Sequence, residues 1–134
     1  MDTPSRFPRR VFLAAGIYGL IVLLPQYFLE GKIGRDYPPP ITHPEHFYGF
    51  IGVALAWQLV FLIIAHDVRR YRLLMLPAIV EKLSFGLAAV ALYAAGRVAP
   101  SVVAVGSIDL VLAALFALSF RATRGADGEG ARAP

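Results

Sequence analysis

The stretch LLMLPAIVEKLSFGLAAVALYAA, residues 73–95, decides how this chain must fold. At about 1.5 Å per helical residue it is long enough to span a hydrocarbon core of about 30 Å. Yet Glu81 and Lys82 stand side by side near its middle. An ionised side chain at that depth costs about 2.5 to 3.5 kcal/mol on insertion scales, and each Leu, Ile, Phe or Val offsets about 0.3 to 0.6 of it. The stretch can therefore insert, but its two charges need partners from other segments. Neighbouring residues on a helix point about 100° apart, so Glu81 and Lys82 cannot fully satisfy each other. Lys82 also lies too deep to snorkel comfortably to either surface.

Three further apolar segments surround it, residues 11–29, 44–65 and 101–120. Each is about 20 residues, again the length of a membrane crossing. The sequence thus predicts an all-α transmembrane four-helix bundle over residues 11–120, running up-down-up-down, between a basic segment at 1–10 and a disordered tail at 121–134. Composition agrees, because 57% hydrophobic residues and a mean hydropathy of +0.62 are more than a soluble core of 134 residues can hide. The net charge of +4 would raise the question of nucleic acid in a soluble protein. Here the basic residues gather where apolar segments end, so the expected partner is the lipid bilayer and not nucleic acid. The chain has no cysteine, which excludes disulfides, thiol redox chemistry, quinone-linked disulfide formation and cysteine metal ligands.

The first segment follows Arg6, Arg9 and Arg10 and could pass for a secretory signal. Its apolar run continues through Pro25, Gln26, Tyr27 and Phe28 into Glu30 without a small-residue cleavage site, so an uncleaved helix is expected, kinked or ended early by Pro25. Residues 30–41, with three consecutive prolines at 38–40, predict an extended surface loop. Thr42 and Glu45 form a Thr-x-x-Glu capping pattern at the start of the second segment. The short basic turn at residues 66–72 makes the second and third segments antiparallel neighbours. Gly96, Arg97 and Pro100 mark the next turn. Arg6, Arg9, Arg10, Arg69, Arg70, Arg72, Arg121, Arg124 and Arg132 fall on one side of this layout, against Lys32, Arg35 and Arg97 on the other. By the positive-inside rule the protein is expected in the cell membrane, multi-pass, with both termini cytoplasmic.

Counted from the cytoplasmic helix ends, Glu81 and Gln58 lie about 12 Å deep and Asp109 about 16 Å deep. Three helices therefore offer polar groups within about one turn of one another, and Asp109 is the natural partner for Lys82. The cluster Gln58, Glu81, Lys82 and Asp109 reads either as a site for a proton, ion or small polar headgroup, with Glu81 as its titratable group, or as an ion pair that sets helix register. Pro77, four residues before Glu81, is expected to open the helix toward a polar cavity. Trp57 is too deep for an interfacial anchor and either packs in the bundle or lines a pocket with Gln58.

His43, Glu45 and His46 have a spacing that metal ligands share, but Pro44 and the capping pattern explain them without metal, and neither metal nor cofactor is expected. Tyr18, Tyr27, Tyr48, Tyr71 and Tyr93 mostly lie toward helix ends, as an aromatic belt requires. Small residues recur at packing spacings, Gly16 with Gly19, Gly49 with Gly52, Gly52 with Ala56, Ala91 with Ala95 and Ala113 with Ala117, and permit close contact within one chain or between chains. No phosphate-binding glycine loop, nucleophile elbow or paired-His zinc helix is present, so catalysis is not expected.

The run Ile41-Thr42-His43-Pro44-Glu45-His46-Phe47-Tyr48-Gly49-Phe50, with Leu76-Pro77-Ala78-Ile79-Val80-Glu81-Lys82 later, resembles a set of small uncharacterised bacterial membrane proteins with four predicted helices. More loosely, the layout resembles DoxX-like membrane proteins, a likeness that transfers no functional residue. The resemblance implies a bacterial inner-membrane protein. The sequence therefore points to a non-catalytic accessory or interaction protein that meets another membrane protein or its own copies. The alternative is binding or transport of a proton, lipid or small polar molecule on Glu81, Lys82 and Asp109. An interaction protein predicts a dry polar layer and outward-facing small residues, whereas a binding protein predicts a cavity that reaches Glu81 from one side.

Overall fold

The buried residues of each long helix recur every three or four positions, as one face of an α-helix requires. In α1 (Thr3–Leu23) the face carries Pro8, Phe12, Ala15 and Gly19. In α3 (Pro44–His66) it carries Ile51, Ala54, Gln58, Phe61 and Ile64. In α4 (Met75–Ala94) it carries Met75, Ala78, Lys82, Gly86 and Ala89. In α5 (Pro100–Glu129) it carries Gly106, Asp109, Ala113, Phe116, Ser119 and Thr123. A computed structural model describes residues 3–129, with side chains from residue 5 to residue 124. Among the described residues all regular structure is helical.

Four helices are long and apolar enough to cross a membrane, over Ser5–Phe28, Pro44–His66, Arg72–Ala94 and Pro100–Arg124. Only 22 to 33% of each span is buried inside the protein, so most of the apolar surface faces outward, which fits a multi-pass membrane protein.

Several local expectations are corrected. Helix α1 begins at Thr3, well before residue 11, because Pro8 and Phe12 are fully buried and draw the arginine-bearing segment onto the core face. It ends at Leu23, where Pro25 shifts the chain into a 3-10 turn over Leu24–Phe28, and Gln26 Nε2 donates to the Val22 carbonyl at 3.2 Å. The presumed loop at 30–41 contains a seven-residue helix, α2 (Glu30–Asp36), with Lys32 paired to Asp36 one turn on. The prolines act only from residue 38. Thr42 does not cap α3: His43 is the N-cap, without a side-chain cap hydrogen bond, and its carbonyl accepts from the amides of His46 and Phe47. The presumed disordered tail is helical through Glu129, and residues 130–134 lie outside the described residues. Buried Ser119 and Thr123 extend the core face past residue 120, and the Arg72 guanidinium sits 3.9 Å over the Phe120 ring while donating to the Phe120 carbonyl at 3.4 Å.

Helix pairing also departs from chain order. The extensive contacts are α4 with α5, α1 with α3 and α1 with α5, whereas α3 and α4 barely touch despite their short connection. Residue size explains this. A Cβ on Gly86 would stand 2.6 Å from Leu110 Cδ2 and 2.9 Å from the Gly106 carbonyl, so α4 and α5 meet backbone to backbone there. Gly16 lets α1 approach the Leu62 side chain and the Gln58 carbonyl of α3, and Gly19 accommodates the Gln58 side chain. Between α3 and α4 a groove remains, lined by larger residues that include Phe50, Trp57, Val80 and Phe85. The core cluster of Phe12, Phe61, Ile64, Met75, Ala78 and Phe116 fills the half of the molecule nearest the α3–α4 connection.

Candidate functional site

Gln58, Lys82 and Asp109 each take a core-face position that an apolar residue would otherwise hold, so the helical repeat aims all three at the interior. Lys82 is their centre. Its Nζ donates to Asp109 Oδ1 at 3.2 Å, lies 3.4 Å from Glu81 Oε2, and stands 5.5 Å from the Phe61 ring centroid. The contact with Glu81 lacks hydrogen-bond geometry, as expected for adjacent residues on one helix, and leaves Glu81 Oε2 buried without a hydrogen-bond partner. Glu81 is one step off the core face and forms the rim of the site, and Lys82 takes the central place the sequence reading assigned to Glu81.

Gln58 is 1% exposed and donates through Nε2 to the Ala54 carbonyl at 2.8 Å. That bond sets the amide orientation, since the reverse would put two acceptors together. Gln58 Oε1 is consequently a second buried acceptor without a partner among the described residues. Gly19 makes room for it, because a Cβ there would collide with the Gln58 carboxamide.

These groups surround a chamber of about 190 Å³, with Gln26, Tyr18, Phe85 and Val105 completing its wall. Phe50, Ala54, Glu81 and Phe85 also line a shallow groove of about 450 Å³ between α3 and α4, which runs on past Val53, Trp57, Pro77 and Val80. A third space of about 670 Å³, bordered by Asp36, Tyr37, Arg97 and Ser101, shares Gln26, Phe85 and Val105 with the chamber. Phe85 lines all three, and its ring is 6.3 Å from that of Phe50. Glu81 is thus reached from the side and the chamber from one end. The other end is closed by Phe12, Phe61 and Phe116, whose centroids lie 4.2 to 6.0 Å apart.

Trp57 and Pro77 both lie in the groove wall. Pro77 does not open α4: the helix starts at Met75, so the proline falls in the first turn, where a missing amide costs little. Sequence reasoning missed Gly19, Phe85 and Gln26. Gly19 was visible as half of a small-residue pair, but nothing in the chain showed that Gln58 would seat over it.

His43, Glu45 and His46 come together at the exposed start of α3, with potential ligand atoms within 4.8 Å of one another. His43 Nδ1 and Glu45 Oε1 are 3.3 Å apart, within hydrogen-bond distance, and both side chains are exposed. Tyr48 has a specific partner, donating to Glu30 Oε2 at 2.6 Å, and stacks on Tyr27. No family model matches this chain, and neither a curated protein nor a solved structure matches it.

Proposed function

We propose that this is a non-catalytic binding protein of the cell membrane, an up-down-up-down four-helix bundle with both termini cytoplasmic, that takes a small polar group into the chamber around Gln58, Glu81, Lys82 and Asp109. The orientation rests on the arginines near Arg9, Arg72 and Arg121 against the few basic residues at Lys32, Arg35 and Arg97. The observation that carries the reading is a pair of buried acceptors beside an open chamber, Gln58 Oε1 with no partner among the described residues and Glu81 Oε2 with the Lys82 ammonium 3.4 Å away but no hydrogen bond. A buried polar atom without a partner costs about 1 to 3 kcal/mol, and a polar layer kept only to hold helices together has no reason to retain two.

The thermal midpoints of Glu81→Gln and Asp109→Asn in mild detergent test it. Asp109→Asn leaves Lys82 without its hydrogen-bonded counter-ion and is expected to lose about 3 to 5 kcal/mol. Glu81→Gln is expected to hold or gain stability, marking Glu81 as retained for a ligand. A fall for Glu81→Gln as large as that for Asp109→Asn overturns the reading and makes the whole cluster structural.

A further inference from the structure

From the joined chamber and groove we infer the class of ligand: a single-chain amphiphile whose head donates hydrogen bonds, as a primary amine or a hydroxyl does, with its alkyl chain lying between α3 and α4. This rests on the binding reading above and deepens it. Two acceptors in the chamber wall, Gln58 Oε1 and Glu81 Oε2, have no hydrogen bond, whereas the donors Gln58 Nε2 and Lys82 Nζ each already hold an acceptor, the Ala54 carbonyl and Asp109. A head that brings protons satisfies both of these acceptors, whereas a carboxylate or phosphate head leaves both unpaired and sets a further acidic group beside Glu81 and Asp109. Charge points the same way, because Glu81 and Asp109 outnumber Lys82 in the cluster.

The chain is placed by continuity. Beyond Glu81 the groove wall is Val53, Trp57, Pro77 and Val80, with no charged side chain. From Pro77 to Phe85 it runs about 12 Å along α4. It opens sideways, where Val53 and Val80 are both more than 60% exposed. A free polar molecule would have no use for this wall, whereas an alkyl chain buries apolar surface along it. The amphiphile would enter from the lipid side with its head passing Phe50 and Phe85.

The test uses the full chain in a non-ionic detergent, where Trp57, the single tryptophan, sits in the groove wall. Dodecylamine, dodecanol and ionised dodecanoate, each brominated on the alkyl chain, are titrated and Trp57 quenching is followed. The amine and the alcohol are expected to quench saturably, at about a tenfold lower concentration than the carboxylate, because a site built around unpaired acceptors rejects a head that cannot donate. Gln58→Leu is expected to narrow that gap. Equal quenching by all three heads, or a gap that Gln58→Leu leaves unchanged, overturns the inference. Butylamine, too short to fill the groove, separates the two levels. If it raises the unfolding midpoint of the parent and not of Gln58→Leu while the long chains show no selectivity, the amphiphile is overturned and the polar site stands. If neither effect is seen, the site is overturned as well.

Discussion

The two halves of this molecule use the same four helices and the same core-face repeat for opposite ends. Around Phe12, Phe61 and Phe116 the repeat carries large rings, stacked or edge to face, and the interior is solid. One to two turns further along, it carries Gly19, Ala54, Gly86 and Gly106, and the polar residues Gln58, Lys82 and Asp109 stand in the room that these leave. Helical periodicity is continuous across both. The difference lies in side-chain volume: rings close the space between helices, while small residues either bring two backbones together, as at Gly86 and Gly106, or leave a chamber, as beside Gly19. Lys82 joins the halves, with its ammonium near the Phe61 ring on one side and bonded to Asp109 on the other.

The largest expected effect comes from breaking the solid half. Phe116→Ala removes the ring that both Phe12 and Phe61 pack against and is expected to cost about 3 to 5 kcal/mol, measured as a loss of unfolding free energy in detergent. A smaller loss would mean that the aromatic half is no firmer than the polar one. Next, Asp109→Leu alone is expected to cost about as much by stranding Lys82, while the double variant Lys82→Met with Asp109→Leu recovers most of the loss. Recovery would show that the pair holds its own charges and adds little net stability. Failure of the second change to restore stability would make the pair a cohesive element comparable to the rings.

A more local change sharpens the contrast at the chamber wall. Gly19→Ala puts a methyl group where the Gln58 carboxamide lies and is expected to cost about 1 to 3 kcal/mol. It should also abolish the selective quenching of Trp57, since the displaced amide no longer offers its acceptor. The same substitution at Gly49, a helical position where no neighbour lies within 4 Å, is expected to hold or raise stability, by up to about 1 kcal/mol. Equal effects at the two glycines would mean that Gln58 is not held where the structure places it. Phe85→Ala gives the smallest expected loss of stability among the chamber variants, because Phe85 borders open space on three sides. Its expected signature is faster onset of Trp57 quenching by brominated dodecylamine, read by stopped flow.

Much of this was legible in the chain and some was not. Four apolar stretches of membrane length are a property of composition along the sequence, so the number and approximate position of the long helices could be read directly. Lys82 and Asp109 could be matched as partners from their depths, because rise per residue is nearly constant in a helix. The helix over Glu30–Asp36 was obscured by the prolines that follow it, and the continuation of α5 past residue 120 by a polar composition whose buried members, Ser119 and Thr123, bond back to their own helix. The Thr42 pattern matched a capping box and failed as one, since a pattern records residue types and not the backbone angles that bring a hydroxyl to an amide.

By itself, then, the sequence determined that the chain is helical, that four segments are apolar enough for a bilayer, and that a few charges lie at a common depth within them. Each of these follows from periodicity and composition, which are local. Only the tertiary structure decided which helices touch, because contact depends on how side chains of different size meet across an interface. That choice set α1 against α3 and α4 against α5, parted α3 from α4, and turned a layer of polar residues into a chamber with a side entrance at Glu81.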